Sequence, residues 1–241
     1  MRRKPKLSDS FAAVYDILYD NPTFLARRTD FLLSALGSED GQLLDAGCAT
    51  GRQIAELEAQ GRRVIGLDND PHMLTAARRS SLDAPLVLGD LRRLPFRAAF
   101  TGALCLESPL AYLLDEDGFL LALRSLRRAL LPRGQLILDT YDYVRSFWPG
   151  AMQRMSMSFG AMRVTESHDY DKQSRVWTMK QRFAVDEDGR TRRFELTHRL
   201  TMRTPDEYAA ALERSGFDIR QMLDGYPNLP DKRIVVIAVA R

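Results

Sequence analysis

The chain has 241 residues, of which 45% are hydrophobic, enough for one large α/β domain with a buried core or for a core domain with a modest insertion. Lys and Arg number 35 against 32 Asp and Glu, an excess too small to mark a nucleic-acid surface unless gathered on one face. Two cysteines, Cys48 and Cys105, form neither a disulfide framework nor a zinc-site spacing, so no metal is expected and a reducing, cytoplasmic setting is.

The opening "MRRKPK" is basic, and no long apolar run follows it; we read neither signal peptide nor membrane anchor there, only a short solvated tail. Residues 8–36 then predict two helices. "FAAVYDILY" places Phe11, Val14, Tyr15, Leu18 and Tyr19 at helical spacing. "NPTFLARRTDFLLSALG" opens on Asn21 and Pro22, a start signal, and closes on Gly37, a stop signal.

From Gln42 the pattern changes to short apolar runs: "QLLDA", "RVIGLD", "PLVLGD", "TGALCLE" and "QLILDT". Helix-like segments at Arg52–Ala59, Pro71–Arg79 and Phe119–Leu131 lie between them. Strands alternating with helices predict a parallel sheet with helices on both faces. Unalternating apolar runs suit strands buried on both sides.

After Thr140 the runs lengthen and partly alternate. "FGAMRVTESHDY", "RVWTMKQRFAV" and "TRRFELTHRLTMR", separated by "DKQS" and "DEDG", predict a three-stranded antiparallel meander with one wet face. Its Arg175, Arg182, Arg190, Arg192, Arg193, Arg199 and Arg203 are candidates for an acidic substrate group. Trp148 and Trp177 either wall a substrate pocket or pack the meander down. Thr204, Pro205 and Glu207 form a capping box ahead of a helix that stops at Gly216. "DIRQMLD" and "RIVVIAVA" close the chain as an antiparallel pair.

The loop "GCATG" follows the first strand, at the sheet edge where ligands of open parallel sheets bind. Its glycines, Gly47 and Gly51, permit backbone torsions other residues resist. The spacing does not fit G-x-G-x-x-G, and no Gly-Lys-Ser or Gly-Lys-Thr follows, so dinucleotide and P-loop readings fail. Asp68 ends the second strand, where a carboxylate accepts from both hydroxyls of a ribose. Asp90 follows the third, where it accepts from an adenine amino group while Leu91 packs on the ring. A glycine loop with two such acids describes a mononucleoside carrying a charged tail.

"LLDAGCATGR", "VIGLDNDPHML", "LGDLRRLPF" and "LLPRGQLILD" resemble the successive motifs of class I S-adenosylmethionine-dependent methyltransferases, with Ala49 where the family places its middle glycine. The resemblance covers roughly residues 10–140 and the last forty or so. It implies a Rossmann-like, doubly wound, seven-stranded and mostly parallel sheet with an antiparallel last strand, interrupted by an inserted antiparallel meander. The implied domains are lid helices at 1–36, a core at 37–145 and 204–241, and a meander at 146–203 covering the substrate site.

The resemblance also implies site roles. The backbone from Gly47 through Ala49 to Gly51 faces the methionine tail of S-adenosyl-L-methionine, and Asp45 orients that loop. Asp68 holds the ribose; Asn69, Met73, Asp90 and Leu91 surround the adenine; Leu106 lies beneath the sulfonium. Tyr15 and Tyr19 close over the cofactor. Glu107, at the end of an apolar strand, and His168, in the meander, are the candidate bases. The implied activity is methyl transfer to N or O of a small molecule such as an amine, a sugar or a natural-product precursor. Non-methyl-transfer use of the cofactor, such as intramolecular cyclisation, and tRNA or rRNA methylation are the alternatives. A homodimer through the meander is a further expectation; nucleic-acid and membrane partners are not.

Overall fold

The computed structural model describes residues 11–37, 40–80, 82–142, 154–187, 189–229 and 232–241. Trp148 and the basic N-terminal tail lie outside them. Among the described residues no helix is long and apolar enough to cross a membrane.

Seven strands form the larger sheet: β1 (Gln42–Ala46), β2 (Arg63–Asp68), β3 (Leu86–Leu88), β4 (Phe100–Cys105), β5 (Leu130–Tyr141), β10 (Phe217–Asp224) and β11 (Arg233–Ala240). Their order is β10-β11-β5-β4-β1-β2-β3. The first five run parallel, and β11 runs antiparallel to both β5 and β10. β1 pairs with β2 on one side and β4 on the other, so the strand order reverses there and leaves a crevice beyond their carboxyl ends.

Helices cover both faces, as the sandwiched apolar strands require. On one face α5 (Glu116–Ala129) and α6 (Pro205–Arg214) bury Phe119, Leu123, Leu126, Tyr208 and Leu212 against Leu44, Ala103, Leu136 and Val236. On the other, α2 (Pro22–Leu36), α3 (Arg52–Ala59) and α4 (Pro71–Ala77) bury Leu32, Leu36, Ile54, Leu57 and Leu74 against Leu43, Val64, Leu104 and Ile137. Asn21 caps α2 by accepting from Phe24 N, and Asp115 caps α5 by accepting from Gly118 N, one turn ahead of the predicted start. The capping box of α6 forms with both bonds, Glu207 N to Thr204 Oγ1 and Thr204 N to Glu207 Oε2.

The second sheet has four strands, not three, in the order β6-β7-β8-β9: β6 (Arg154–Phe159), β7 (Met162–Asp171), β8 (Val176–Glu187) and β9 (Arg190–Thr201). All neighbours are antiparallel. The unforeseen strand reads "RMSMSF" and has no β-branched residue, which removes the compositional signal for a strand. Its alternation is nonetheless complete, with Met155, Met157 and Phe159 half-buried and the residues between them exposed. Gly160, at φ +55°, turns β6 into β7 inside the stretch "FGAMRV" expected to be one strand.

The chain divides into two compact units, and the predicted pair of lid helices is split between them. α1 (Phe11–Leu18) belongs with β6–β9, whereas α2 belongs with the seven-stranded sheet. The cause is packing: Val14 is fully buried among Met162, Val164, Phe183 and Val185, with Phe11, Ile17 and Leu18 alongside.

Candidate active site

The loop after β1 carries three residues in the left-handed region: Gly47 at φ +92°, Ala49 at +47° and Gly51 at +80°. Gly47 N and Cys48 N both donate to Leu67 O, at 2.7 and 3.0 Å. Ala49 N donates to Asp68 Oδ2 at 2.8 Å, and Asp70 N to Asp68 Oδ1 at 2.9 Å. The carboxylate at the end of β2 therefore fixes the loop at the end of β1. Each Asp68 oxygen spends one acceptor site on backbone and keeps capacity for a further donor. Burial pushes the Asp68 pKa up, and the Asp70 and Ala49 N–H groups oppose it.

Asp45, one strand residue earlier, is 3% exposed. Burial raises its pKa to about 7, with Arg28 pulling down and Asp68 pushing up. Asn69 is exposed, Met73 is buried under α4, and Leu91 is half-buried against the core. Asp90 caps the short turn after β3 by accepting from Arg92 N, and its two oxygens also take Arg92 Nε and Nη2 at 3.0 and 2.6 Å. That hydrogen bond holds its carboxyl below the ordinary value, so an adenine amino group would share the carboxylate with a guanidinium.

The loop after β4 holds Leu106, buried, and two further left-handed residues, Glu107 at φ +66° and Ser108 at +69°. Glu107 is tied from three sides. Its Oε1 accepts from Arg28 Nη1, its Oε2 from Arg233 Nη1 at 2.8 Å, and its N–H donates to Asp139 Oδ1 at 2.8 Å. Asp139, at the end of β5, also takes Arg233 Nη1 at 3.2 Å and Tyr226 Oη at 2.5 Å. Arg28 is held in turn by Gln53 of α3, Nε to Oε1 at 2.8 Å. Both guanidiniums lie over the Phe24 ring, 5.3 and 5.2 Å from its centroid. Burial favours a neutral Glu107, but Arg233 and Arg28 outweigh it and hold the carboxyl below its ordinary value. A carboxylate bound by two cations is a weak proton acceptor. Glu107, expected as a candidate base, thus lies in an ion network at the end of β4.

Arg28, Asp139, Tyr226 and Arg233 were not singled out from the sequence. The usable signal was Asp139 in "QLILDT", an acid inside a buried strand, which requires a cation.

In the other unit, the Tyr15 and Tyr19 rings lie 4.7 Å apart, tilted at 48°, and Phe11 meets Tyr15 edge-on at 5.5 Å. His168 Nδ1 accepts from Trp177 Nε1 at 3.2 Å, and its Nε2 lies 3.5 Å from Glu166 Oε2. An indole only donates, so the basic nitrogen of a neutral His168 is already engaged. His168, the other candidate base, therefore lies between Trp177 and Glu166. Arg175 bonds Met202 O, Arg182 pairs with Glu195, and Arg203 lies 3.9 Å over the Phe119 ring, so these three serve the fold. Cys48 and Cys105 are buried, and burial, reinforced by nearby carboxylates, pushes both thiols far above their ordinary value.

Residues 43–134 match the methyltransferase domain family. Over that stretch the chain carries a methyltransferase domain, and its relatives and structural neighbours are methyltransferases, which supports an S-adenosylmethionine-dependent methyltransferase enzyme. The methyltransferase is 25% identical over 223 residues to a dTDP-3-amino-3,6-dideoxy-alpha-D-glucopyranose N,N-dimethyltransferase of Streptomyces fradiae, covering 90% of this chain and 88% of that one. It is 28% identical over 190 residues to a dTDP-4-amino-2,3,4,6-tetradeoxy-D-glucose N,N-dimethyltransferase of Saccharopolyspora spinosa, covering 79% and 76%. Its fold is that of an S-adenosylmethionine-dependent methyltransferase from Clostridium acetobutylicum, at TM-score 0.83, 19% identity and coverage of 95% and 97%. It is also that of Streptomyces venezuelae DesVI, at TM-score 0.81, 24% identity and coverage of 96% and 99%.

The residues present fit the family's cofactor. The left-handed loop and a half-buried Asp68 with spare acceptor capacity meet beyond the same two strands, β1 and β2. When bound, S-adenosylmethionine supplies a methyl group on a sulfonium. The protein's part is to bind and align it, exclude water and manage the acceptor's proton.

Proposed function

We propose that the acceptor is the amino nitrogen of a nucleotide-linked deoxyamino sugar. The observation that carries this reading is the extent of the match: the dimethyltransferase relatives align over most of this chain, beyond the cofactor-binding region. The chemistry agrees with it. Aligning a neutral amine against a sulfonium needs no strong base, and Glu107 is held in ion pairs rather than poised to take a proton.

In this reading the Gly47–Gly51 backbone and Asp45 receive the methionine tail, Asp68 the ribose hydroxyls, and Asn69, Met73, Asp90 and Leu91 the adenine. Leu106 lies under the sulfonium and Glu107 is a positioning residue; the rings of Tyr15 and Tyr19 are of the kind that suit a cation. The inserted sheet offers a surface for a homodimer. A reducing cytoplasm suits the two buried thiols.

The test is to incubate the enzyme with S-adenosylmethionine carrying a labelled methyl and dTDP-3-amino-3,6-dideoxy-α-D-glucose. One or two labelled methyl groups on the sugar nitrogen are expected. Label left in a thioether by-product would point to cyclisation chemistry instead, and no transfer to any amino sugar nucleotide would end the reading.

A further inference from the structure

The seven-stranded sheet carries a second concavity at its other end. The last turn of α2 and the strands β5, β10 and β11 border a cavity of about 690 Å³, a volume that suits a small-molecule ligand. It lies at the amino ends of β4 and β5, whereas the crevice described above follows the carboxyl ends of the parallel strands.

Two arginines line this cavity, each presented by an irregularity in strand pairing. Between the pairs Phe100–Leu130 and Gly102–Gln135, the single residue Thr101 of β4 stands against Leu131–Gly134 of β5. That bulge holds Arg133 at φ +63°, a left-handed conformation that costs free energy in any residue with a Cβ. Gly134 closes the bulge tightly, since a Cβ there would stand 2.9 Å from Leu131 O. Between the pairs Ile219–Ala238 and Gln221–Ile237, Arg220 is an extra residue of β10 with no partner in β11. A bulge of this kind re-aims a side chain. Among the described residues neither guanidinium is held by an ion pair or a hydrogen bond, and no carboxylate lines the cavity.

The rest of the lining is of two kinds. Ala35, Ile237 and Val239 offer an apolar surface, and Gln135 and Gln221 offer amides. Gln135 Oε1 is buried with no hydrogen-bond partner among the described residues, an arrangement that is costly unless a donor is supplied. The ligand that meets all of these groups has more than one negative charge, a flat ring with apolar faces, and an N–H on the edge of that ring.

We propose that this cavity binds a nucleoside diphosphate. Arg133 and Arg220 take the diphosphate oxygens, which guanidiniums bind in pairs. The base lies on Ile237 and Val239 and donates an N–H to Gln135 Oε1. The site is separate from the cofactor crevice, and the proposal does not depend on which acceptor is methylated.

The test is calorimetric titration of dTDP into the full chain saturated with S-adenosylhomocysteine, with the Arg133→Gln/Arg220→Gln double variant beside the wild type. Both arginines are exposed, so the variant should keep its melting temperature and its affinity for S-adenosylhomocysteine. Wild type should bind one dTDP more than the double variant. Each single arginine variant should weaken that site about 10–100-fold, and Gln135→Leu about 3–10-fold. If the nucleotide-sugar reading holds, dTDP also fills the acceptor site, and both proteins share that further site. If that reading fails, the double variant binds no dTDP and the difference of one site remains. Equal numbers of dTDP sites in the two proteins would overturn the proposal. So would inorganic pyrophosphate binding as tightly as dTDP, because the cavity would then be an anion site with no use for a base.

Discussion

The carboxyl edge of the parallel sheet and the inner face of the inserted sheet both bury carboxylates, and they satisfy them in opposite ways. At the edge, Glu107 and Asp139 are matched by Arg28 and Arg233. On the inserted sheet, Glu166 is met by an amide and an imidazole. The first arrangement is charge-balanced and therefore rigid: removing any member strands another charge. The second meets its carboxylate with an amide and an imidazole, and among the described residues no guanidinium or ammonium is paired with it.

The largest test of this contrast breaks the balanced side. Asp139→Ala leaves Arg233, Tyr226 Oη and the Glu107 N–H without their shared acceptor. It should cost about 3–5 kcal/mol in urea unfolding, the usual penalty for halving a buried ion pair. A loss below about 1 kcal/mol would mean that the network is no more than a surface pair.

Next comes Gly51→Ala. At φ +80° a Cβ would stand 2.5 Å from Leu82 Cδ1, so strain and collision combine. We expect a loss of about 1–3 kcal/mol and weaker S-adenosylhomocysteine binding by calorimetry. Unchanged affinity would show that the loop's shape does not set cofactor binding.

Stability should also carry a pH signature from Asp45. Its folded pKa of about 7 lies above the unfolded value, so its contribution is complete below the unfolded pKa and is lost as pH rises to about 7. Asp45→Asn should flatten that limb in melts taken between those two values. Glu107 has the reverse sign: its lowered pKa gives stability above the unfolded value that is lost as pH falls through the folded one. The two limbs should separate in single variants.

Ala49→Gly should relieve the left-handed strain at φ +47° and stabilise the fold by about 1 kcal/mol, with little change in cofactor affinity. Much tighter binding in calorimetry would mean that the Ala49 methyl obstructs the cofactor tail. The smallest effect belongs to the exposed pair on the inserted sheet, Arg182 and Glu195 at 2.7 Å. Arg182→Ala should change stability by less than about 1 kcal/mol.

What was legible in the sequence follows from the range of the interactions. Sandwiched strands and cap residues write their signal within a few positions, so the parallel core and the α6 capping box were readable. The glycine loop and Asp68 were readable because short motifs place them on consecutive strand ends. The ion network was not, since Glu107 finds Arg28 and Arg233 at separations of 79 and 126 residues. His168 and His198 look alike in sequence. Only the groups beside them, an indole donor for one and an amide-oxygen acceptor for the other, set them apart.

The placement of α1 bears on how the chain reaches this state. Val14 is sealed by Val164, about 150 residues downstream, while the whole parallel core lies between. At ribosomal rates of about 5–20 residues per second, α1 waits roughly 10–30 s for the strands that bury it. Its partners are the last large pieces of sheet to appear before the closing hairpin. During synthesis, therefore, α1 carries an exposed apolar stripe until the strands that bury it have been made.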